Sequence, residues 1–146
     1  MSEITYIRGN IFDSTMQVIT NPINCVGTMG AGLAKEFKTR YPGMFSWYIK
    51  LFEARDLEIG RICLYKKSTP WVLMFPTKDH WRDPSKYEYI QQGLDTLRDE
   101  YKNLGITSIA IPPPGCGLGG LDFHIVKEMI ITTLGPTDLV IEIYVQ

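Results

Sequence analysis

The sequence predicts an α/β fold with a mostly parallel sheet at its centre. Three observations lead there. Strand-like and helix-like periodicities alternate along the 146 residues. The run Trp71-Val72-Leu73-Met74-Phe75 is apolar at every position, as in an inner strand covered on both faces. Two glycine-rich segments, around Gly27 to Gly32 and Gly115 to Gly120, fall where a strand should hand over to a helix.

Ile4 to Ile7 and Gln17 to Ile19 read as short strands. A turn through Gly27, Gly30 and Gly32 then opens a helix near Ala31, which stops at Tyr41 because Pro42-Gly43 cannot continue it. Phe45, Tyr48 and Phe52 recur at helical spacing in a second helix, followed by a strand over Ile62 to Tyr65 and the inner strand at Trp71. The clearest helix carries Tyr87, Ile90, Leu94, Leu97 and Tyr101 as one stripe. It should begin with Ser85-x-x-Glu88 as a capping box and end before Gly105. Ile106 to Ile111 reads as another inner strand, Asp122 as the cap of a helix bearing Val126, Ile130 and Leu134, and Leu139 to Val145 as the last strand. No repeat, linker or low-complexity stretch divides the chain, so one domain over 1–146 is expected.

Lys plus Arg number 15 against 16 Asp plus Glu, a net charge of -1 that excludes a strongly basic nucleic-acid coat. The apolar fraction of 45% is enough to fill a single core. Cys25, Cys63 and Cys116 are odd in number, far apart and set in apolar runs, the pattern of reduced core thiols in a cytoplasmic protein. Met1-Ser2-Glu3-Ile4 has neither the basic start nor the apolar stretch of a signal peptide. No run approaches the ~18 apolar residues of a membrane span, so a soluble protein without membrane contact is expected.

Gly27-Thr28-Met29-Gly30-Ala31-Gly32 and Pro112-Pro113-Pro114-Gly115-Cys116-Gly117-Leu118-Gly119-Gly120 carry the chemical signal. At the carboxyl ends of strands, such loops can surround phosphate oxygens with backbone N–H groups and the positive end of a helix, without any lysine. Tight structural turns are the alternative, and the three prolines alone could form a stiff connector. Neither loop is followed by Gly-Lys-Ser/Thr, and the first spaces its glycines as GxxGxG, so P-loop and Rossmann nucleotide sites do not fit. A diphosphate held by amides remains. His80 and His124 with three scattered cysteines make no metal site, and the GxSxG of a nucleophile elbow is missing.

The blocks Asn24-Cys25-Val26-Gly27-Thr28-Met29-Gly30-Ala31-Gly32-Leu33-Ala34, Phe75-Pro76-Thr77-Lys78-Asp79-His80-Trp81-Arg82 and Gly115-Cys116-Gly117-Leu118-Gly119-Gly120-Leu121-Asp122 resemble those of a macrodomain. Within that family they are most similar to the DarG-type DNA ADP-ribosyl glycohydrolases, antitoxins that remove ADP-ribose from thymidine in DNA. The resemblance runs along nearly the whole chain. It implies a three-layer sandwich, a mixed, mostly parallel sheet between helices, with an ADP-ribose cleft at the sheet edge. DarG antitoxins carry a further domain not present in these residues, so an antitoxin role through contacts with a toxin is not expected.

What the resemblance implies for the site follows residue by residue. Gly9, Asn10 and Ile11 match the segment at the adenine, where many macrodomains have Asp in place of Asn10; the Asn10 carbonyl oxygen can accept from the adenine amino group as a carboxylate would. Met29, Gly30, Ala31, Gly32 and Leu33 match one loop around the diphosphate, and Pro114, Gly115, Cys116, Gly117, Leu118, Gly119 and Gly120 match the other. Asn24 matches a polar catalytic position beside the distal ribose, with Thr77 next to it. Lys78 matches the essential lysine of the DarG branch and of the related human terminal ADP-ribose glycohydrolase.

A protonated lysine is a poor nucleophile or base, so Lys78 needs desolvation or a nearby cation, which the buried strand before it and His80 and Arg82 after it could supply. It could attack the anomeric carbon to form a Schiff base, or help the base leave by charge or proton transfer. The human relative has an acid at the position of Gly119, and the nearest carboxylate here, Asp122, reads as a helix cap.

His80, Trp81 and Arg82 supply a donor, an aromatic face and a phosphate partner, which suits a splayed base in ADP-ribosylated single-stranded DNA. The alternative is a surface loop whose Trp81 packs on the following helix. The expected activity is hydrolysis of ADP-ribose from thymidine by a monomer without cofactor or metal. The alternatives are a non-catalytic ADP-ribose reader, or a hydrolase of ADP-ribose 1''-phosphate or O-acetyl-ADP-ribose.

Overall fold

The computed structural model describes residues 1–145. Its strands are β1 (Glu3–Arg8), β2 (Val18–Asn24), β3 (Cys63–Tyr65), β4 (Trp71–Lys78), β5 (Ser108–Ile111) and β6 (Val140–Val145). Its α-helices are α1 (Gly32–Arg40), α2 (Pro42–Glu53), α3 (Tyr87–Leu104) and α4 (Phe123–Leu134). The six strands form one sheet in the order β1-β6-β5-β2-β4-β3, parallel throughout except for the antiparallel pair β3 and β4.

Alternation along β4 builds the layers. Leu73 and Phe75 join the core under α3 and α4, while Val72 and Met74 join the core under α1 and α2. Each pleat face therefore buries apolar side chains, and the continuous apolar run in the sequence follows from that. Gly93 lets α3 descend onto the Phe75 ring, because a Cβ there would meet that ring. Among the described residues no helix is long and apolar enough to cross a membrane.

Strand ends shift by a residue or two, as where β5 begins at Ser108 and not at Ile106, and two elements differ from the sequence expectation in substance. The strand expected over Gln17 to Ile19 runs on to Asn24, through Pro22. Only Val18 and Ile19 pair with β5, so beyond them β2 is bound to β4 alone and behaves on its other side as an edge strand, where proline is tolerated. The capping box at Ser85 is the second difference. Helix α3 is entered from Lys86 with no side-chain cap, and the buried Ser85 hydroxyl has no hydrogen-bond partner. The Ser85 N–H instead donates to the carbonyl of Gly119 at 3.2 Å, so a tertiary contact with a distant loop overrides the local cap.

Candidate functional site

From β2 the chain moves to β3 and back to β4 on one side, and from β5 it moves to β6 on the other. Adjacent parallel strands whose connections diverge leave a crevice at their carboxyl ends. The loops after β1, β2, β4 and β5 all emerge on this edge, because those strands run parallel. Asn10 follows β1 and Lys78 ends β4, four strand spacings apart, roughly 19 Å. The two glycine loops, after β2 and β5, stand between them.

The loop after β2 is shaped from its root. Asn24 Nδ2 donates to the carbonyl and to Oγ1 of Thr28, both at 2.9 Å, and its Oδ1 accepts from the N–H of Val26 at 3.1 Å. Gly27 takes φ +81°, and a Cβ there would lie 2.8 Å from the Phe52 ring, so only glycine fits this turn. Met29 is buried beneath the loop, while Gly30, Ala31 and Gly32 are exposed and Leu33 half-buried. Helix α1 starts at Gly32 without a side-chain cap, leaving its first N–H groups directed at the edge.

The loop after β5 has a buried base of Pro114, Gly115 and Gly119 beneath a half-buried Cys116 and an exposed rim of Gly117, Leu118 and Gly120. Among the described residues the N–H groups of Gly30, Gly117 and Leu118 find no acceptor in the chain. A Cβ at Gly119 would run into the Gly115 carbonyl and the Ser85 hydroxyl, so this loop shape has no room for an acid at that position. Asp122 caps α4, its carboxylate accepting from the His124 N–H at 2.8 Å.

Lys78 joins these parts. It is the register partner of Asn24 across β2 and β4, past an irregularity at Ile23/Asn24, and its carbonyl accepts from the Cys25 N–H at 3.1 Å. The amine donates to the carbonyls of Leu118 at 3.2 Å and Trp81 at 3.4 Å. The Leu118 side chain, 71% exposed, reaches across to α1, where a Cβ on Gly32 would lie 3.2 Å from it. Amine, both glycine loops and the Trp81 segment thus meet at one point. Thr77 is buried, its hydroxyl donating to the Ile23 carbonyl at 3.3 Å.

The Macro domain family model matches residues 20–130. The chain belongs to the macrodomain family. Over 131 residues it is 38% identical to a DNA ADP-ribosyl glycohydrolase of Thermus aquaticus, covering 87% of this chain and 36% of that protein. It thus spans about a third of the length of that curated relative. The solved macrodomain of Thermus aquaticus DarG has a TM-score of 0.94 and 35% identity, with 100% of both chains covered. Thermosipho africanus DarTG, solved in complex with ADP-ribose, has the same TM-score of 0.94 at 35% identity, covering 99% of this chain and 42% of that one.

At the far end of this macrodomain's edge, Asn10 is exposed and its Oδ1 accepts from the Phe12 N–H at 3.0 Å, capping a single 3-10 turn above the buried Ile11, with Gly9 exposed beside it. At the near end, Trp81 is 50% exposed. The His80 ring lies 5.5 Å from the Trp81 ring and the Arg82 guanidinium 4.9 Å from it. His80 Nδ1 accepts from the Arg82 N–H at 3.1 Å, which holds the three side chains in this order.

The thiols are unsuited to attack. Burial pushes Cys25 up to about 12, with the Asp79 charge adding to it, and pushes Cys116 up to about 11. The sequence expectation of core thiols holds for the buried Cys25, whereas Cys63 and Cys116 are half-buried. Sequence reasoning missed Ser85, Tyr48 and Phe52 as parts of this edge. Tyr48 and Phe52 were visible only as members of a helical stripe, a signal that says which face is buried and not what it touches.

Proposed function

We propose that this macrodomain hydrolyses the bond joining ADP-ribose to thymidine in single-stranded DNA, with Lys78 as the essential group and no cofactor. One observation carries the reading: the Lys78 amine sits within 3.2 Å of the second glycine loop, at the end of an edge lined by free amides. In this reading Asn10 meets the adenine, the amides of the two loops hold the diphosphate, and Lys78 and Asn24 face the distal ribose. The relatives at about this similarity carry the name DNA ADP-ribosyl glycohydrolase.

In the reaction the bond from the anomeric carbon to thymine breaks, the hydroxyl of water ends on that carbon and its proton on the base. Lys78 assists as a nucleophile, through a Schiff base that water then hydrolyses, or by stabilising the departing base. Trp81, half exposed, stacks with a base splayed beside the modified one, and Arg82 and His80 meet its phosphate. The domain acts as a cytoplasmic monomer.

The test is a substrate panel of thymidine-linked oligonucleotide, glutamate-linked peptide and ADP-ribose 1''-phosphate, with wild type and Lys78→Ala. Release from the oligonucleotide by wild type alone is expected. Binding of ADP-ribose with no release from any substrate would make the domain a reader. Release only from the 1''-phosphate would make it a hydrolase of small metabolites.

A further inference from the structure

Met44, Tyr48 and Phe52 stand four residues apart on α2 and so share one face of the helix. Tyr48 and Phe52 touch the loop after β2, and Met44 touches β2 just before it. Asn21 Nδ2, in β2, lies 3.8 Å from the sulfurs of both Met44 and the loop's Met29. The Phe52 ring fills the space that a Cβ on Gly27 would need. Between them the Tyr48 hydroxyl is 2.7 Å from Asn24 Oδ1, 2.8 Å from the Asn24 carbonyl and 3.4 Å from the Thr28 carbonyl. Tyr48 is fully buried.

One phenolic proton faces three oxygens gathered at one point, of which Asn24 Oδ1 also accepts from the Val26 N–H and the Thr28 carbonyl also accepts from Asn24 Nδ2. Asn24 in turn spends both ends of its carboxamide on the loop, on Val26 and Thr28. We infer that Tyr48 is a positioning residue: it locks the Asn24 carboxamide, and through it the loop from Val26 to Gly32, in the shape that presents amides to a diphosphate. Burial pushes the phenol above its ordinary range, which keeps it a donor at working pH. The inference rests on this loop being the diphosphate cradle of the proposed function.

Tyr48→Phe keeps the ring and removes the donor. It should weaken ADP-ribose binding by about five- to tenfold in calorimetry, the range of one lost hydrogen bond. The penalty should fall on KM more than on kcat, and the Val26 and Thr28 amides should exchange with deuterium faster. In an Asn24→Ala background, Tyr48→Phe should add little, since the two act as one unit. Tyr101→Phe is the control, removing a phenol that donates to Asp138 far from this edge; it should lower Tm without touching affinity. If Tyr48→Phe fails to fold, Phe52→Ala tests the same face at a partly exposed position. Wild-type affinity and unchanged exchange in a folded Tyr48→Phe would overturn the inference alone. A wild-type protein that does not bind ADP-ribose would overturn the proposed function and the inference together.

Discussion

The amine nitrogen of Lys78 stands 3.2 Å from the carbonyl oxygen of Leu118, so a loop leaving β5 holds a side chain carried by β4, with β2 lying between the two strands. The same leucine touches α1 at Gly32, which makes it the bridge between the two glycine loops. Replacing the amine leaves that bridge, and the amides around it, in place. Lys78→Ala should therefore slow release of ADP-ribose from thymidine-modified oligonucleotide by about a hundredfold or more, while calorimetry finds ADP-ribose affinity changed far less. Full release by Lys78→Ala would show that the lysine is not catalytic.

Trp81 presents half of its surface to solvent between His80 and Arg82, beside the amine it faces through its own carbonyl. Stacking on an aromatic ring is worth roughly 1–3 kcal/mol per base. Trp81→Ala should raise KM for modified oligonucleotide by about five- to a hundredfold and leave ADP-ribose binding as it is. Equal losses for both would assign the ring to packing.

Asp122 is the nearest carboxylate in sequence to the second loop, and its oxygen accepts from the His124 N–H. Its removal tests cap against acid. Asp122→Ala should cost about 1 kcal/mol in thermal or denaturant unfolding, as an N-cap does, with turnover little altered. A loss of rate on the scale of Lys78→Ala would instead give it a chemical role.

Two thiols, the buried Cys25 and the half-buried Cys116, set an alkaline limit. Cys25 and Cys116 are pushed from the ordinary 9.0 to about 12 and about 11, so the folded chain keeps protons that the unfolded chain releases. Stability from this source is whole below pH 9 and falls as pH rises from about 9 toward 12. Melting temperatures across that window should drop, and Cys25→Ala should flatten the drop. At neutral pH both sites should resist alkylation by iodoacetamide in the folded protein.

Local pattern was enough for much of this. The stripe from Tyr87 to Tyr101 and the apolar run at Trp71 depend on which faces are buried, and burial leaves its period in the residue order. The glycine loops stood out for a similar reason, as strand-to-helix turns rich in glycine that fit either an anion cradle or a tight turn, whereas Lys78 was singled out only by the resemblance of its Phe75-Pro76-Thr77-Lys78 block to the family.

Where those pieces meet belonged to the tertiary structure alone. Leu118 and Lys78 are forty residues apart, and Tyr48 and Asn24 twenty-four apart. Their hydrogen bonds exist because β2 lies between β4 and β5 and because α2 crosses under the first loop. Ser85 marks the limit most plainly: its local sequence favours a helix cap, yet a backbone bond to Gly119 takes it elsewhere. Periodicity encodes which side of an element faces inward; contacts between distant segments are decided by strand order and by packing, which no local spacing carries.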